Sequence, residues 1–212
     1  MRKNGKVLAY HDFTSDAVMR ARVNITTDSP IHIGPLPAKN GKNRRVLLRA
    51  PAYQADYEWP TFAPDGSRLV YEHRRSHFVD RKTQRGLVVS SADGKRQKRI
   101  TPWSMNAGDG PDWSPDGKLI LFRSHEDENE ATQSQLYTVR PDGTGLRRLT
   151  NFPAGTLLLS STFSPDGTRI VLSKAGKNGN ADLFTMRADG TDLRPVTQTK
   201  LWDSAPDWGS RR

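Results

Sequence analysis

The stretch PDWSPDGKLILF, residues 111–122, decides the fold because nearly the same pattern occurs three times in the chain. It recurs as PTFAPDGSRLVYE at residues 60–72 and as STFSPDGTRIVLS at residues 161–173. In each copy an aromatic residue ends one run, a Pro-Asp-Gly turn follows, and alternating apolar residues begin the next run. Proline presets φ, Asp accepts hydrogen bonds from its own backbone, and Gly takes the positive φ that the turn needs. Each copy therefore predicts a β-hairpin.

The interval between the copies predicts a repeat architecture. The aromatic residues Phe62, Trp113, Phe163 and Trp208 stand in register, 51, 50 and 45 residues apart. After each hairpin a third run closes with Asp-Gly, and a fourth, shorter run carries basic residues. Four antiparallel strands in a unit of roughly 40 to 50 residues are typical of a propeller blade, which buries both faces by stacking on its neighbours. The predicted fold class is all-β, a β-propeller of four-stranded antiparallel blades.

The two ends of the chain predict how such a ring closes. The C-terminal letters APDWGSRR supply the first strand of a blade but stop before its Asp-Gly turn, and residues 4–10 resemble residues 116–122 position for position. We therefore expect residues 206–211 to pair beside residues 6–11 and to close four blades into a single domain covering residues 1–212. The expected blade repeats lie near 4–50 with 203–212, 57–101, 109–150 and 159–197. A pair of chains that forms one eight-bladed ring is the alternative, so the protein is expected to be a monomer or a homodimer.

Composition limits the classes of function and location. The chain has no Cys, which excludes disulfides and thiolate chemistry. No segment is apolar for long enough to form a membrane span, and the first residues lack the apolar core of a signal peptide. The expected location is the cytoplasm, or the periplasm or exterior if a signal peptide has been removed.

The net charge of +10 raises the question of nucleic-acid binding. The basic residues recur at equivalent places in the repeats, each just before the last short run: Arg44 and Arg45, Lys98 and Arg99, Arg147 and Arg148, and Arg194. Charged side chains on an edge strand protect it against pairing with other chains. We therefore interpret these residues as edge protection and do not expect nucleic-acid binding, since no basic and aromatic platform or recognition helix is evident.

The repeat resembles that of a known family. The letters PDWSPDGKLILF, followed by QLYTVRPDGTGLRRLT, are similar to the propeller repeat of the TolB family, and the similarity covers nearly the whole chain. This resemblance implies a β-propeller of a family best known from a periplasmic, non-enzymatic protein that binds proteins and peptides at one mouth of its channel. Related repeats occur in peptidase propellers. The chain departs from TolB in lacking the N-terminal α/β domain and in having too few repeats for six blades.

Histidines gather on the face of the predicted ring where the long second-to-third-strand connections lie. His11, His73, His77 and His125 fall there, and His11 aligns with Glu72, Arg123 and Ser173. Imidazole serves as a proton shuttle or as a metal ligand. His11, His73 and His125, with Glu72 for catalysis, are therefore candidates for acid–base or metal-binding residues, although no metal-ligand spacing is present. Ordinary surface positions are the alternative interpretation.

Acidic and aromatic residues before the first-strand aromatic form a second candidate group. The candidates for ligand binding are Tyr57, Glu58, Trp103, Asp109, Trp202 and Asp203. Carboxylates arranged around a channel could hold a divalent metal ion, either Ca²⁺ or a transition metal, or could instead accept local backbone hydrogen bonds. Trp59 lies among the aromatic residues near the same loops.

The sequence thus favours a non-enzymatic binding module that recognises a protein, a peptide or a small molecule at the loop-lined mouth of the channel. The alternative is a small channel-mouth enzyme, such as a lyase, cyclase or hydrolase, that uses the His and carboxylate candidates. No nucleophile elbow, phosphate-binding loop or dinucleotide fingerprint is present.

Overall fold

A computed structural model describes residues 7–11, 31–35, 45–48, 55–76, 83–125, 133–176 and 179–208, with side chains within the ranges 57–75, 83–125, 133–176 and 179–208. Its regular structure is almost entirely β-strand, arranged as four antiparallel sheets. Within these ranges no helix has the length and apolar character that crossing a membrane requires.

Three of the sheets are four-stranded blades in which sequential strands are neighbours. We call them blades 1, 2 and 3. Blade 1 holds β4 (Ala55–Phe62), β5 (Arg68–Ser76), β6 (Thr83–Ser91) and β7 (Lys98–Arg99). Blade 2 holds β8 (Ala107–Trp113), β9 (Ile120–His125), β10 (Ser134–Val139) and β11 (Arg147–Arg148). Blade 3 holds β12 (Leu157–Phe163), β13 (Arg169–Ala175), β14 (Ala181–Arg187) and β15 (Arg194–Pro195).

The fourth sheet is N-terminal and has three described strands. They are β1 (Val7–His11), β2 (Ile31–Pro35) and β3 (Arg45–Leu48), in the order β1-β2-β3. Strand β1 lies against β4 of blade 1, so this N-terminal sheet precedes blade 1 in the stack. It corresponds to the second, third and fourth strands of a blade.

The Asp-Gly turns form as the repeat predicts. In the hairpin turn of blade 2, Asp116 Oδ1 accepts hydrogen bonds from Ser114 Oγ at 2.7 Å and from the Lys118 backbone N–H at 3.1 Å. Asp65 and Asp166 accept equivalent bonds in blades 1 and 3. The prediction that these three carboxylates belong to turns is therefore confirmed.

Stacking of the blades buries apolar residues at the seams between blades 1 and 2 and between blades 2 and 3. Val70 of blade 1 packs with Ile120 and Phe122 of blade 2, and Leu121 of blade 2 packs with Leu172 of blade 3. Because neighbouring residues of a strand point to opposite faces, each blade contributes one face to the preceding seam and the other face to the following seam. The first strands β4, β8 and β12 contact one another in succession, which places them nearest the axis of the stack.

A bulge recurs in the first strands. The register of β4 with β5 shifts between Glu58 and Thr61, and that of β8 with β9 shifts between Gly108 and Asp112. At the centre of each bulge the residue before a proline has a left-handed backbone, Trp59 with φ 55° and Gly110 with φ 80°. A glycine tolerates this conformation, whereas a bulky side chain rarely adopts it.

The basic residues do occupy the short last strands at the sheet edges, but two of them also join neighbouring blades. Lys98 Nζ donates to the Asp142 carbonyl of blade 2 at 2.8 Å, and Arg147 Nη2 donates to the Asp189 carbonyl of blade 3 at 3.0 Å. Edge protection is therefore only part of their role, because each also hydrogen-bonds an Asp-Gly turn of the next blade.

Pairing of the C-terminal segment with β1 is not present in the described residues. Residues 201–208 form no strand, and the pairing recorded for β1 is with β2. The segment lies instead beside blade 3, where the Asp203 backbone N–H donates to the Ala181 carbonyl at 2.9 Å. Residues 209–212 lie outside the described ranges, and ring closure stays a prediction.

Candidate functional site

One position on the second strand of each blade reaches across the seam to the next blade. Glu72 of β5 accepts a hydrogen bond from the Asp109 backbone N–H at 2.7 Å, and Ser173 of β13 donates to the Asp203 carbonyl at 2.7 Å. Arg123 of β9 donates to the Leu158 carbonyl of blade 3. Each of the three side chains is buried. In blades 1 and 2 the aligned position that the sequence singled out therefore links neighbouring blades, and in blade 3 it binds the C-terminal segment.

The seam between blades 1 and 2 carries a denser polar network centred on Asp109. Its Oδ2 contacts His125 Nε2 and lies 3.7 Å from Arg85 Nη1 and 3.9 Å from Arg123 Nη2. Arg123 also donates from Nε and Nη2 to the Asp109 carbonyl at 3.0 and 2.6 Å, and Arg85 Nε lies 3.2 Å from Glu72 Oε1. We call these five residues, Glu72, Arg85, Asp109, Arg123 and His125, the seam network.

The local backbone explains why these side chains meet. Glu72 lies against Gly108, where a Cβ would overlap the Glu72 carboxylate. Asp109 has a left-handed backbone with φ 57°, which aims its side chain back into the seam next to the bulge. His125 ends β9, so the network lies at the end of the blades from which the second-to-third-strand connections leave.

The carboxyl groups of Glu72 and Asp109 have different pKa values because their neighbours differ. Burial, together with the nearby charge of Asp109, raises the pKa of Glu72 to about 8, although Arg85 opposes the shift. Burial also acts to raise the pKa of Asp109, but the hydrogen bond from His125 and the charges of Arg123 and Arg85 outweigh it and hold that pKa at about 2. At neutral pH the seam network thus contains an ionised Asp109 beside a largely protonated Glu72.

Glu72 should make stability depend on pH. Its native pKa lies above that of the unfolded chain, so its contribution is fully present below about pH 4.5 and is lost as pH rises through about 8. We predict that the free energy of unfolding, measured by urea titration, falls between about pH 5 and pH 8. The variant Glu72→Gln should lose this part of the slope, and an unchanged slope would contradict the assignment.

His73 lies in a different environment from His125. Its ring contacts Tyr57 edge-to-face, with centroids 4.9 Å apart, and Trp103 at 5.2 Å. Glu72 and His73 are adjacent in β5 and therefore point to opposite faces of the sheet. The structure brings Glu72 and His125 into one network and leaves His73 outside it.

Several of the candidate ligand-binding residues are occupied by internal contacts. Tyr57 is buried and its hydroxyl donates to Gln97 Oε1 at 3.1 Å. The guanidinium groups of Arg75 and Arg99 lie 4.1 and 5.0 Å from the ring centroid of Trp103. Glu58 forms an ion pair with Arg74 at 2.9 Å.

The remaining candidates lie elsewhere. Trp202 is 55% exposed at the end of blade 3, and Asp203 beside it accepts a hydrogen bond from Thr199 Oγ1 at 3.2 Å through its side chain. The side chain of His11 and the whole of His77 lie outside the described residues. Within the described ranges, no three His, Asp or Glu side chains come together in a way that could hold a metal ion.

Three residues of this region were not predicted as site residues from the sequence. Arg85 and Arg123 are drawn into the seam by pairing and stacking, and Trp59 is 47% exposed on a first strand. The signal available for Trp59 was its alignment with Gly110, since a large aromatic residue replaces a glycine at the bulge. Arg85 follows an alternating strand position that gives no such signal, whereas Arg123 had the signal of its alignment with Glu72 and Ser173.

Comparison with known proteins identifies the repeat. The family model described as the TolB beta propeller domain, PD40, matches residues 3–208. A TolB homolog of Chlorobium luteolum is 30% identical over 128 residues, which are 60% of this chain and 26% of that protein. Dipeptidyl-peptidase 5 of Porphyromonas endodontalis is 29% identical over 151 residues, which are 68% of this chain and 20% of that protein.

A solved structure supports the same architecture. The structure of a putative TolB from Agrobacterium tumefaciens superposes with a TM-score of 0.68 at 20% identity, covering 93% of this chain and 63% of that one. The chain spans between 20% and 40% of the length of the first curated relatives that it matches. The match over residues 3–208 and the stacked four-stranded sheets together show that this chain belongs to the PD40 family of TolB β-propeller domains.

Proposed function

We propose that this chain is a binding module that holds a peptide, a protein or a small molecule at the loop-lined mouth of its channel. The observation that carries the proposal is Trp59, a large aromatic residue that is 47% exposed on a first strand next to the seam network. Trp59 follows Glu58, whose direct cross-strand partner is Glu72 of that network. Trp59 therefore lies one residue along β4 from a direct neighbour of the seam network, and as part of the proposal we place the ring and the network in one region of the mouth.

The backbone of Trp59 argues against a purely structural role. A left-handed backbone costs a residue with a Cβ about 1–2 kcal/mol, and the equivalent position in blade 2 is a glycine. The bulge itself therefore does not require tryptophan. Strained residues that persist on an otherwise regular scaffold cluster at binding sites, and exposed tryptophans are enriched among residues that dominate binding energy.

Binding is favoured over catalysis by the state of the histidines. A general base must reach the proton that it abstracts. His125 is buried, with Nε2 in contact with Asp109 and Nδ1 3.5 Å from Ser134 Oγ, and His73 packs between Tyr57 and Trp103. Both ring nitrogens of the buried His125 face protein side chains, which weighs against its use by a channel-mouth lyase, cyclase or hydrolase.

The relatives are consistent with either role for a propeller of this kind. They include a TolB homolog and a dipeptidyl-peptidase, and the matched region is a minor part of each. Proteins of the TolB type supply the precedent for protein or peptide ligands, and we carry that precedent to this chain as part of the proposal.

The family resemblance also implies a periplasmic location, so we propose a periplasmic or secreted protein. The expected cytoplasmic location has no support from the comparisons.

The proposed function is tested by selection with a matched variant. The immobilised chain is presented with a random-peptide display library and with a glycan array, and the variant Trp59→Gly is screened in parallel. Ligands that bind the parent chain and fail to bind the variant support a mouth site at Trp59. A set of ligands that binds both proteins equally, or no ligand in either class, would contradict it.

Trp59→Gly should separate function from stability. Relief of the left-handed strain offsets the lost packing, so the free energy of unfolding should stay within about 1 kcal/mol of the parent. Ligand affinity should fall by at least about tenfold, as expected for loss of an aromatic anchor. Thermal unfolding and a titration of the selected ligand measure the two effects. The control is Leu146→Gly, for which affinity should be unchanged, because Leu146 is 44% exposed beside the Asp-Gly turn of blade 2.

We further propose that four blades close into a ring through the C-terminal segment. Ala205 has φ 54° and precedes Pro206, as Trp59 precedes Pro60 and Gly110 precedes Pro111. The segment thus already has the bulge conformation of a first strand. Its Asp203 carbonyl accepts the hydrogen bond from Ser173, the same cross-seam link that β9 makes to β12.

Hydrogen bonds between the first strands supply the partners for closure. Asp112 Oδ2 accepts hydrogen bonds from Thr162 Oγ1 at 2.8 Å and from the Phe163 N–H at 2.9 Å in the following blade. The equivalent carboxylate in the C-terminal segment is Asp207. The equivalent donors in blade 1 are Thr61 and Phe62, so closure would give Asp207 the same two bonds.

One face of blade 3 is exposed where the equivalent face of blade 1 is covered by the next blade. Val196 is 57% exposed, whereas Ile100 at the equivalent position of blade 1 is 6% exposed because blade 2 covers it. The N-terminal sheet is the occupant that would cover this face, and a ring of two chains is the competing outcome.

A further inference from the structure

One oxygen of Asp109 is available at the mouth. Its Oδ2 is occupied by His125, Arg85 and Arg123, and its backbone N–H and carbonyl are bound by Glu72 and Arg123. No described residue contacts Oδ1, and the side chain is 23% exposed. The ionised carboxylate therefore presents one acceptor to a ligand while the other oxygen fixes its position.

The surrounding charges disfavour a charged ligand. Two guanidinium groups lie within 4 Å of Oδ2, so an ammonium group or a metal cation would approach a carboxylate that is already neutralised. Arg123 is not available to an anion either, since it directs its N–H groups to the carbonyls of Asp109 and Leu158. An uncharged hydrogen-bond donor is the group that this oxygen fits best.

The surroundings of Asp109 indicate that the ligand also has an apolar face. A Cβ placed on Gly110 would meet no atom within 4 Å, so the mouth is open there. The exposed ring of Trp59, at the equivalent bulge of blade 1, offers an aromatic face with a polar edge. A fitting ligand therefore combines a flat apolar face with uncharged donor groups.

We propose that the mouth binds an uncharged saccharide, whose ring stacks on Trp59 while one hydroxyl donates a hydrogen bond to Asp109 Oδ1. A pyranose ring has both properties, because its C–H groups form an apolar face and its hydroxyls are neutral donors. The seam network acts by positioning: His125, Arg85 and Arg123 hold Oδ2 and leave Oδ1 open. This inference rests on the proposed function and narrows its ligand class.

The test compares the binding of uncharged, cationic and anionic saccharides. The parent chain is applied to an array of uncharged glycans built from glucose, galactose, mannose and N-acetylglucosamine, together with deacetylated cationic and uronic-acid anionic counterparts. Uncharged glycans should bind, and each charged counterpart should bind at least tenfold more weakly. Binding of the best uncharged glycan, titrated by calorimetry, should fall at least tenfold in Trp59→Gly and several-fold in Asp109→Asn, and should be unchanged in Leu146→Gly.

The outcomes separate this inference from the function on which it rests. Peptide ligands that require Trp59, found without any uncharged glycan binding, would overturn the saccharide assignment and leave the mouth site in place. Preference for the cationic or the anionic glycans would also overturn it. Thermal unfolding of Asp109→Asn shows whether that variant is folded. If it is not folded, glycan binding by Trp59→Gly decides the test, because Trp59 is exposed and its replacement should leave the fold intact.

Discussion

Replacing Arg123 with Met should lower the free energy of unfolding by about 3–5 kcal/mol, the usual result of removing one partner from a buried charged network. Arg123 is buried, donates to the carbonyls of Asp109 and Leu158, and lies 3.9 Å from the Asp109 carboxylate. The variant leaves these acceptors without their donor at two successive seams. Urea unfolding monitored by tryptophan fluorescence would measure the loss.

The matched control is Ser173→Ala, at the equivalent position of the next blade. Ser173 is also buried and also donates across the seam, to the Asp203 carbonyl, but it carries no charge. Its removal should cost about 1 kcal/mol, as for one neutral hydrogen bond. If both variants lost the same stability, the charged network would have no special role at the seam between blades 1 and 2.

Ending the chain after Lys200 should cause aggregation or loss of cooperative unfolding. The deletion removes the Asp203 partner of Ser173 and the proposed inner strand of the fourth blade. In the proposed closed ring it also uncovers the following face of blade 3 and leaves β1 as an unprotected sheet edge, which is a template for intermolecular pairing. Light scattering and thermal unfolding would report both effects.

A chain that ends after Trp208 is the control for this deletion, since it keeps Asp203, Asp207 and the aromatic residue. It should remain soluble and should unfold near the temperature of the full chain. A chain ending after Lys200 that behaves in the same way would reject the role of the C-terminal segment in completing a blade.

The local parts of the fold could be predicted because their signals are local. The Pro-Asp-Gly turns and alternating apolar runs lie within about a dozen residues, and the structure confirms the hairpins, the third strands and the short basic last strands. The roles of Lys98 and Arg147 were only partly predicted. Their hydrogen bonds to the next blade depend on how two repeats stack, and the sequence of one repeat does not reveal that stacking.

The candidate site was less predictable because it is assembled from two blades. Alignment singled out Glu72, which proved to reach across the seam, and Asp109, which proved to be its partner. It also grouped His73 with His125, although strand alternation places them in separate environments. The strain at Trp59 depends on backbone angles, and only the register shift of the bulge reveals it.

A disulfide cross-link tests most directly whether these blades form a closed channel with a mouth. Asp112 pairs with Leu121 in blade 2, so the equivalent residues Asp207 and Ala9 should lie opposite each other in the closed ring. Because the chain has no Cys, this bond is the only intramolecular disulfide that the double variant Ala9→Cys with Asp207→Cys can form. Paired strands place the two Cα atoms about 4.5–5.5 Å apart, within disulfide range.

The control pair is Ala9→Cys with Ser204→Cys, which is displaced by three residues, or about 10 Å, along the strand and should not cross-link. Under mild oxidation the first pair should give a cross-linked monomer, seen as a faster band on a non-reducing gel with a mass two hydrogens below that of the reduced chain. A cross-linked dimer would replace the four-bladed ring by a ring of two chains. Free thiols in the first pair, under conditions that oxidise a reference disulfide, would contradict closure.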